Sequence, residues 1–328
     1  MADSYLAASL DRLGPAAKRE DVIEIAVNPD GSLWGEFQGD HAMQPLGTTL
    51  SPVQVRDFAN QIASAARTTI SDKKPIISVS IFYGTRPIRA QVVMAPAVEG
   101  PAPSISLRFF SSVPLDAISL SWLYDRPRSL EELRRERAEE LRQVVAGGDI
   151  AAATGFCVRH KLNIIVSGGT NTGKTVALRK LLSHVSPSER IVTIEEAAEL
   201  RPEQPNVVTL IASRDDPARS ADLLLTSTLR MRPDRIILGE VRGGEAMSFL
   251  EAINTGHGGS MTTLHAETPQ LAVKRLAIAA LKANLPMTYA EVLAYIEHTI
   301  DVIVQVGRHE DRRGMTEFFL PGLAREAA

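Results

Sequence analysis

The chain predicts an α/β protein in two parts: a smaller mixed α/β domain, then a domain built on a mostly parallel sheet. Three observations lead there. From Gly155 onward, short apolar runs rich in β-branched residues alternate with helical segments, the pattern of a parallel sheet with helices on both faces. One of those strand-to-helix joins is rich in glycine, which marks a loop of unusual backbone geometry. Ahead of them, residues 1 to about 110 carry hairpin and turn signals around one clear amphipathic helix. The division that results is 1–115 for the first domain, 116–148 for a connector with a charged helix, and 149–328 for the second domain.

In chain order, Val22-Ile23-Glu24-Ile25-Ala26-Val27 is a strand that ends at the turn Asn28-Pro29-Asp30-Gly31, and Ser32 to Phe37 is its hairpin partner. Ser51 to Ala66 opens with Ser-Pro at cap and first-turn positions and continues with Val55, Phe58, Ile62 and Ala65 at helical spacing. Strands are expected at 76–82, 88–94 and 105–110, the last two separated by the proline-rich stretch from Ala95 to Pro103. Residues 111 to 130, punctuated by Pro114 and Pro127, form the connector. Ser129-Leu130-Glu131-Glu132 then opens a segment to Val145 in which Glu and Arg alternate, a solvated helix laced with i,i+4 ion pairs. Its charges balance, which weighs against a nucleic-acid-binding helix. In the second domain strands are expected at 162–167, 190–194, 206–211, 235–239, 260–264 and 301–306.

The glycine-rich join is Gly168-Gly169-Thr170-Asn171-Thr172-Gly173-Lys174-Thr175, a full match to G-x-x-x-x-G-K-[ST]. Its context is the one the motif requires. The apolar run Leu162-Asn163-Ile164-Ile165-Val166 precedes it, and Val176 to Val185 follows with Leu178, Leu181, Leu182 and Val185 at helical spacing. The glycines let the backbone wrap phosphates so that N–H groups point inward, and the helix start adds the positive end of its dipole. Lys174 is placed to reach the β- and γ-phosphates, and the Thr175 hydroxyl to ligate Mg²⁺. The loop from Gly168 to Val176 therefore reads as a site for a nucleoside triphosphate.

Other residues gather around that reading. Arg235-Ile236-Ile237-Leu238-Gly239-Glu240 is an apolar strand ending in a carboxylate, which can hold Mg²⁺ through water or polarise an attacking water. Glu195, Glu196 and Glu199 follow another strand, either facing a ligand crevice or forming a solvated acidic turn that caps a helix. His257 and His265 stand eight apart among glycine and hydroxyl residues. That spacing alone does not make a metal-ligand pair; sensing of a phosphate and a structural pair are the two other readings.

Taken together, Gly-Gly-Thr-Asn-Thr-Gly-Lys-Thr, Ile-Glu-Glu-Ala-Ala-Glu-Leu, Leu-Arg-Met-Arg-Pro-Asp-Arg-Ile-Ile-Leu-Gly-Glu-Val-Arg and Gly-His-Gly-Gly-Ser-Met-Thr-Thr-Leu-His-Ala resemble the secretion ATPase superfamily. They stand in its order of Walker A, acidic box, Walker B and histidine box, over about residues 162 to 268. Among its branches the chain is most similar to the hexameric traffic ATPases of type IV secretion and conjugation machines. The single cysteine cannot build the four-cysteine module usual in the type II secretion and pilus-extension branches, and Leu276-Ala277-Ile278-Ala279-Ala280 lacks the Ala-Ile-Arg-Asn segment of the pilus-retraction branch. The resemblance implies a RecA-like phosphate-loop ATPase domain that uses ATP and Mg²⁺. It places Glu240 on the Walker B glutamate, Glu195 on the acidic-box glutamate, and His257 and His265 on the histidine box. Catalytic roles fall by it on Lys174, Glu240, Glu195 and His265, metal contact on Thr175 and Glu240, and coupling on His257, Arg242 and Arg230; Arg230 and Arg232, just before the Walker B strand, are candidates for reaching a subunit boundary. Arg89 and Arg108 fall on arginines that reach the phosphates from the N-terminal domain; the other reading is a pair of surface arginines in ordinary ion pairs. Two departures stand out: Glu196 where the family usually has aspartate, and Phe109-Phe110 where a basic residue and Pro-Ser are commoner.

Composition bounds the rest. A net charge of −3 over 328 residues gives no sign of a global nucleic-acid-binding surface, although local basic patches remain open. One cysteine, Cys157, excludes an internal disulfide framework and fits a reducing compartment as a buried thiol. Met1-Ala2-Asp3-Ser4 lacks a basic region followed by an apolar stretch, and no run approaches the ~20 apolar residues that span a bilayer. Composition leaves a cytoplasmic or peripheral protein, and the resemblance implies a position at the cytoplasmic face of the inner membrane, with its own copies, channel components and a secreted protein or DNA–protein substrate as partners. Two rivals remain at this stage: a nucleotide-gated scaffold with little turnover, and a pilus-type or nucleic-acid-translocating ATPase.

Overall fold

The computed structural model describes residues 2–110 and 119–326; the opening of the expected connector, 111–118, lies outside the described residues. Along the chain come α1 (Ala2–Asp11), β1 (Val22–Val27), β2 (Ser32–Phe37), β3 (Gln44–Thr49), α2 (Pro52–Ala65), β4 (Ile76–Tyr83), β5 (Arg86–Val93) and β6 (Ser104–Phe109). Next are α3 (Leu130–Ala146), α4 (Ile150–Arg159), β7 (Ile164–Ser167), α5 (Lys174–Leu182), β8 (Ile191–Glu195), β9 (Val207–Ile211) and α6 (Ala221–Thr228). The last are β10 (Arg235–Leu238), α7 (Glu245–Asn254), β11 (Met261–Leu264), α8 (Pro269–Leu281), α9 (Tyr289–Thr299), β12 (Val302–His309), β13 (Arg312–Phe319) and α10 (Pro321–Glu326). These elements fall into two compact units. The first gathers residues 1–112, 186–199 and 204–234; the second gathers 113–185, 200–203 and 235–328.

In the first unit an antiparallel sheet runs in the order β3-β2-β1-β6-β5-β4. The β1–β2 turn needs its glycine: Gly31 has φ 84°, and a Cβ there would lie 2.0 Å from the Leu50 carbonyl oxygen. Strand alternation divides the sheet into two faces. One face presents Ile25, Val27, Ile88, Ile105 and Leu107 to Leu6, Leu10, Phe58 and Ile62 of α1 and α2, forming the core. Each such side chain, fully buried, contributes about 1.5–3 kcal/mol. Helix α2 is started by a capping box in which the Ser51 hydroxyl accepts from the Gln54 N–H and the Gln54 side chain accepts from the Ser51 N–H, with Pro52 in the first turn. The opposite face combines a small apolar cluster of Ala26, Trp34 and Met43 with polar pairs: Glu24 stands in register with Arg108, Arg108 with Arg89, and Ser106 with Gln91. Strands β8 and β9 pair in parallel in this unit, and Glu99 N–H donates to the Thr209 carbonyl.

The second unit carries a mostly parallel sheet made from four of the six strands expected after Gly155; the other two, β8 and β9, belong to the first unit, so the expected domain 149–328 is not one contiguous unit. Strands β10, β11, β7 and β12 lie side by side in that order, all parallel, and β13 closes the edge antiparallel to β12. The four residues of β7, Ile164 to Ser167, are all buried, as expected of a strand covered on both faces. Helix α5 packs on β7 and β11, and α8 packs on α7, α9 and β12. The charged helix α3 turns Leu133 and Leu141 inward, against α4 and α10. Its Arg134 joins Asp301 at 2.7 Å, and Arg142 pairs with Glu139 at 2.6 Å.

Candidate active site

The site in the second unit is built where β7 passes into α5. Asn171 with φ 61° and Gly173 with φ 95° hold left-handed backbone, the shape that turns successive N–H groups into one concavity. Gly168 is required for a second reason: a Cβ there would meet the Val306 carbonyl oxygen at 2.5 Å and the Thr172 hydroxyl at 2.6 Å. Thr172 ties the loop to itself by donating to the Gly169 carbonyl at 2.9 Å. Gly173 caps α5 without a side-chain acceptor, so the first turn keeps its N–H groups for an anion.

Lys174 is buried at the first position of α5 and its ammonium is held inside the loop. It donates to the carbonyls of Gly168 at 3.2 Å and Gly169 at 2.8 Å, and its Nζ lies 3.2 Å from Nδ1 of His265. The other ring nitrogen of His265, Nε2, lies 3.1 Å from a carboxylate oxygen of Glu240, whose second oxygen is 2.5 Å from Arg242. The pattern of partners sets the tautomer. An ammonium beside Nδ1 requires a lone pair there, so the proton of a neutral imidazole sits on Nε2 and is donated to Glu240. The electrostatics agree: burial, then the Lys174 charge, holds the His265 pKa below the ordinary histidine value, with Glu240 opposing. Burial likewise lowers the Lys174 pKa, again against the pull of Glu240. Lys174, His265, Glu240 and Arg242 thus form one line of alternating charge and dipole.

Strand ends explain why these residues meet. Glu240 follows β10 and His265 follows β11, two adjacent parallel strands that end on the same side as the β7 loop. Thr263 fastens the ends together by donating to the Gly239 carbonyl at 2.7 Å. Glu240 and His265 line a recess with Arg242, Arg275, Ile278 and Lys282. The two cations here, Arg275 on α8 and Lys282 just after it, escaped the sequence reading because exposed charges on and beside a helix carry no motif. Glu267 escaped it as well; a Cβ on Gly169 would lie 3.1 Å from its carboxylate.

Thr175 is half-buried at the second position of α5, and among the described residues its hydroxyl makes no hydrogen bond. A free hydroxyl on the first turn and a partly exposed Glu240 carboxylate are hard oxygen donors of the kind Mg²⁺ takes. Val176 follows them with its side chain 70% exposed, on the outer side of the helix start.

The remaining predicted residues lie elsewhere. His257 stands before the amino end of β11, so that strand separates it from His265; its Nδ1 is 3.1 Å from the Ala252 carbonyl. In the first unit, Glu195 is buried at the end of β8. Its two oxygens accept from the Thr193 hydroxyl at 3.0 Å and the Glu199 N–H at 2.9 Å. The variant position Glu196 is exposed and pairs with Arg214 at 2.6 Å. Arg89 and Arg108 face each other across β5 and β6, both exposed, and line one recess with Glu20, Asp21 and Phe110. Among the described residues neither guanidinium has a hydrogen bond or ion pair. Like charges directly opposite on a sheet repel, so the pair is an arrangement suited to an anion. Arg230 is exposed, whereas Arg232 is committed internally to Glu36 at 2.6 Å and Asp234 at 2.5 Å.

Residues 145–311 match the family model of the type II/IV secretion system proteins. The conjugal transfer protein TrbB of Rhizobium radiobacter is 32% identical over 311 residues, covering 94% of this chain and 86% of that protein. The type IV secretion system protein VirB11 of Bartonella quintana is 30% identical over 342 residues, covering 97% and 94%. Among solved structures, the VirB11 ATPase from the Brucella suis type IV secretion system, in complex with sulphate, superposes with a TM-score of 0.83 at 27% identity, covering 99% of this chain and 97% of that one. The chain belongs to the type II/IV secretion system protein family.

Proposed function

We propose that this chain hydrolyses ATP with Mg²⁺ and works as a hexameric motor that energises assembly of, or substrate transfer through, a type IV secretion or conjugation machine. The observation that carries the reading is the line from Lys174 through His265 to Glu240, set against a loop shaped for phosphates. The loop N–H groups and Lys174 bind the phosphates, and a terminal phosphate would draw the Lys174 ammonium from the Gly168 and Gly169 carbonyls. Once Lys174 shifts, His265 is freed at Nδ1 and Glu240 gains freedom to orient water. Thr175 and Glu240 would hold Mg²⁺, which neutralises phosphate charge when bound. Glu195, buried with an oriented carboxylate, is a further candidate for polarising the attacking water. Arg89 and Arg108 supply charge-assisted contacts that ATP has and ADP lacks.

The names of the relatives support the type IV secretion setting, and the described residues include no helix long and apolar enough to cross a membrane. We infer a peripheral position at the cytoplasmic face of the inner membrane, with channel components as partners. Phosphate release should be measured for the parent chain and for Lys174→Ala and Glu240→Gln. Lys174→Ala should abolish turnover with the fold intact, since it removes transition-state charge stabilisation. Glu240→Gln should keep ATP bound and slow cleavage by about 10²-fold or more. Negligible turnover by the parent chain would favour a nucleotide-gated scaffold, and near-normal turnover by Lys174→Ala would refute the site.

A further inference from the structure

The face of the first unit's sheet away from α1 and α2 holds a carboxylate that the reading above does not use. Glu24 points to this face from the middle of β1 and is 3% exposed. In register it stands opposite Arg108 on β6 and Glu36 on β2. Such partners have Cβ atoms about 4.5–5.5 Å apart. Among the described residues the Glu24 carboxylate makes no hydrogen bond or ion pair, an unusual state for a buried acid.

The charges around it are already assigned to one another, with one exception. Arg232 is bidentate on Glu36, at 2.6 and 2.7 Å, and also meets Asp234. Arg190, fully buried ahead of β8, donates to Asn28 at 2.7 Å, Asn206 at 2.5 Å and the Met231 carbonyl at 2.9 Å, leaving one guanidinium nitrogen unpartnered. Among the described residues Arg108 is the neighbour with no hydrogen-bond or ion-pair partner, and its charge is the largest attraction that Glu24 feels, ahead of Arg190. Arg89 lies beyond Arg108 and adds repulsion to it across β5 and β6.

We propose that Glu24 is a positioning residue for Arg108, its through-space counter-charge, so that a terminal phosphate on Arg108 and a proton on Glu24 favour each other. The inference rests on the reading of Arg108 as a contact to the terminal phosphate. When the phosphate engages the guanidinium, the attraction that stabilised ionised Glu24 is offset, and the carboxylate takes up a proton. By reciprocity, protonating Glu24 removes one carboxylate charge that competes for Arg108, beside those of Glu20 and Asp21 in the same recess, and strengthens its hold on the phosphate. The coupling falls in an accessible range, because burial pushes the Glu24 carboxyl up to about 7. Below that pH Glu24 is neutral and preference for ATP is high; above it Glu24 is ionised and preference declines. ADP, without the γ-phosphate, makes a smaller demand on Arg108 and is less sensitive.

The test measures, for the full chain with saturating Mg²⁺, the affinity ratio of a non-hydrolysable ATP analogue to ADP between pH 6 and 8. The parent chain, Glu24→Gln and Arg108→Ala are compared, and the difference between the first two removes the titration of the nucleotides and of His265. The parent's preference for the analogue should fall by about threefold across this range, equivalent to about half a pH unit of coupling. Glu24→Gln should keep the acid-side value throughout. An identical pH dependence in the parent and Glu24→Gln, with preference still lost in Arg108→Ala, overturns the role of Glu24 and leaves the reading of Arg108 standing. Unchanged preference in Arg108→Ala overturns both. If Glu24→Gln does not fold, calorimetry of the parent chain at pH 7 in two buffers of different ionisation enthalpy decides. More proton uptake with the analogue than with ADP supports the coupling, and equal uptake overturns it.

Discussion

His265 occupies the electrostatic middle of the site, accepting from an ammonium on one side and donating to a carboxylate on the other. That bridge exists only for the neutral ring. Its pKa is held below the usual histidine value, so the neutral form and the bridge persist above that lowered value and are lost as pH falls through it. The acid limb of the turnover profile should therefore lie below about 6.5, and His265→Asn should slow turnover and remove that limb while Lys174→Ala merely abolishes turnover. An unchanged limb in His265→Asn would assign the titration to another group. Lys174, Glu240 and His265 were legible in the sequence because each sits at the end of an apolar strand or at a fixed place in a motif. Glu24 was not. Inside Val22-Ile23-Glu24-Ile25-Ala26-Val27 it looks like an outward acid on an ordinary half-buried strand, and only the register with Arg108 shows what it faces.

At the scale of elements, the loop between β7 and α5 combines two demands, left-handed backbone at Asn171 and Gly173 and close approach at Gly168. Gly168→Ala isolates the second. Its methyl would collide with the Val306 carbonyl, part of β12, so relief requires moving the loop rather than a side chain. Nucleotide affinity should fall by at least about tenfold while the melting temperature drops only a few degrees, since one small clash at a loop costs about 1–3 kcal/mol. Equal-strength binding would mean that the loop opens freely and that Gly168 only fills space. Most strands were readable, including the hairpin at 22–37 and the parallel set, because apolar runs and turn residues punctuate them. Strand β3 was not, since Pro45 and Gly47 weaken any strand pattern and are tolerated only because β3 is an edge. Strand β13 escaped for a similar reason: Arg312-Arg313-Gly314 is exposed and carries no alternation, and pairing with β12 alone makes it a strand. Helix α1 hides a readable stripe in Leu6 and Leu10, but ten residues too few in apolar side chains look like a solvated leader until α2 packs on them.

For the whole molecule the strongest expectation is a ring. In the proposed ring each nucleotide would lie near a neighbouring subunit, so that hydrolysis moves one subunit against the next. Arg230 is the residue placed for such a role: it is exposed, it ends α6's turn toward Arg232, and among the described residues its guanidinium has no partner. Arg232 cannot share the task while it is locked between Glu36 and Asp234. Mass measurement at micromolar protein with an ATP analogue should give a particle near six times the monomer, and monomer alone would count heavily against the assembly. The assembly then permits a sharper test of Arg230. Arg230→Ala subunits keep an intact phosphate loop, and Lys174→Ala subunits keep an intact arginine, so each variant alone should be inactive as a ring. Mixed in equal amounts, about one interface in four joins a good loop to a good arginine, and activity should return toward roughly a quarter of the parent's. A residue acting within its own subunit gives no such recovery, because no subunit in the mixture carries both groups. Absence of recovery in rings shown by mass to be mixed would therefore place Arg230 within its own subunit and leave the subunit boundary to other side chains.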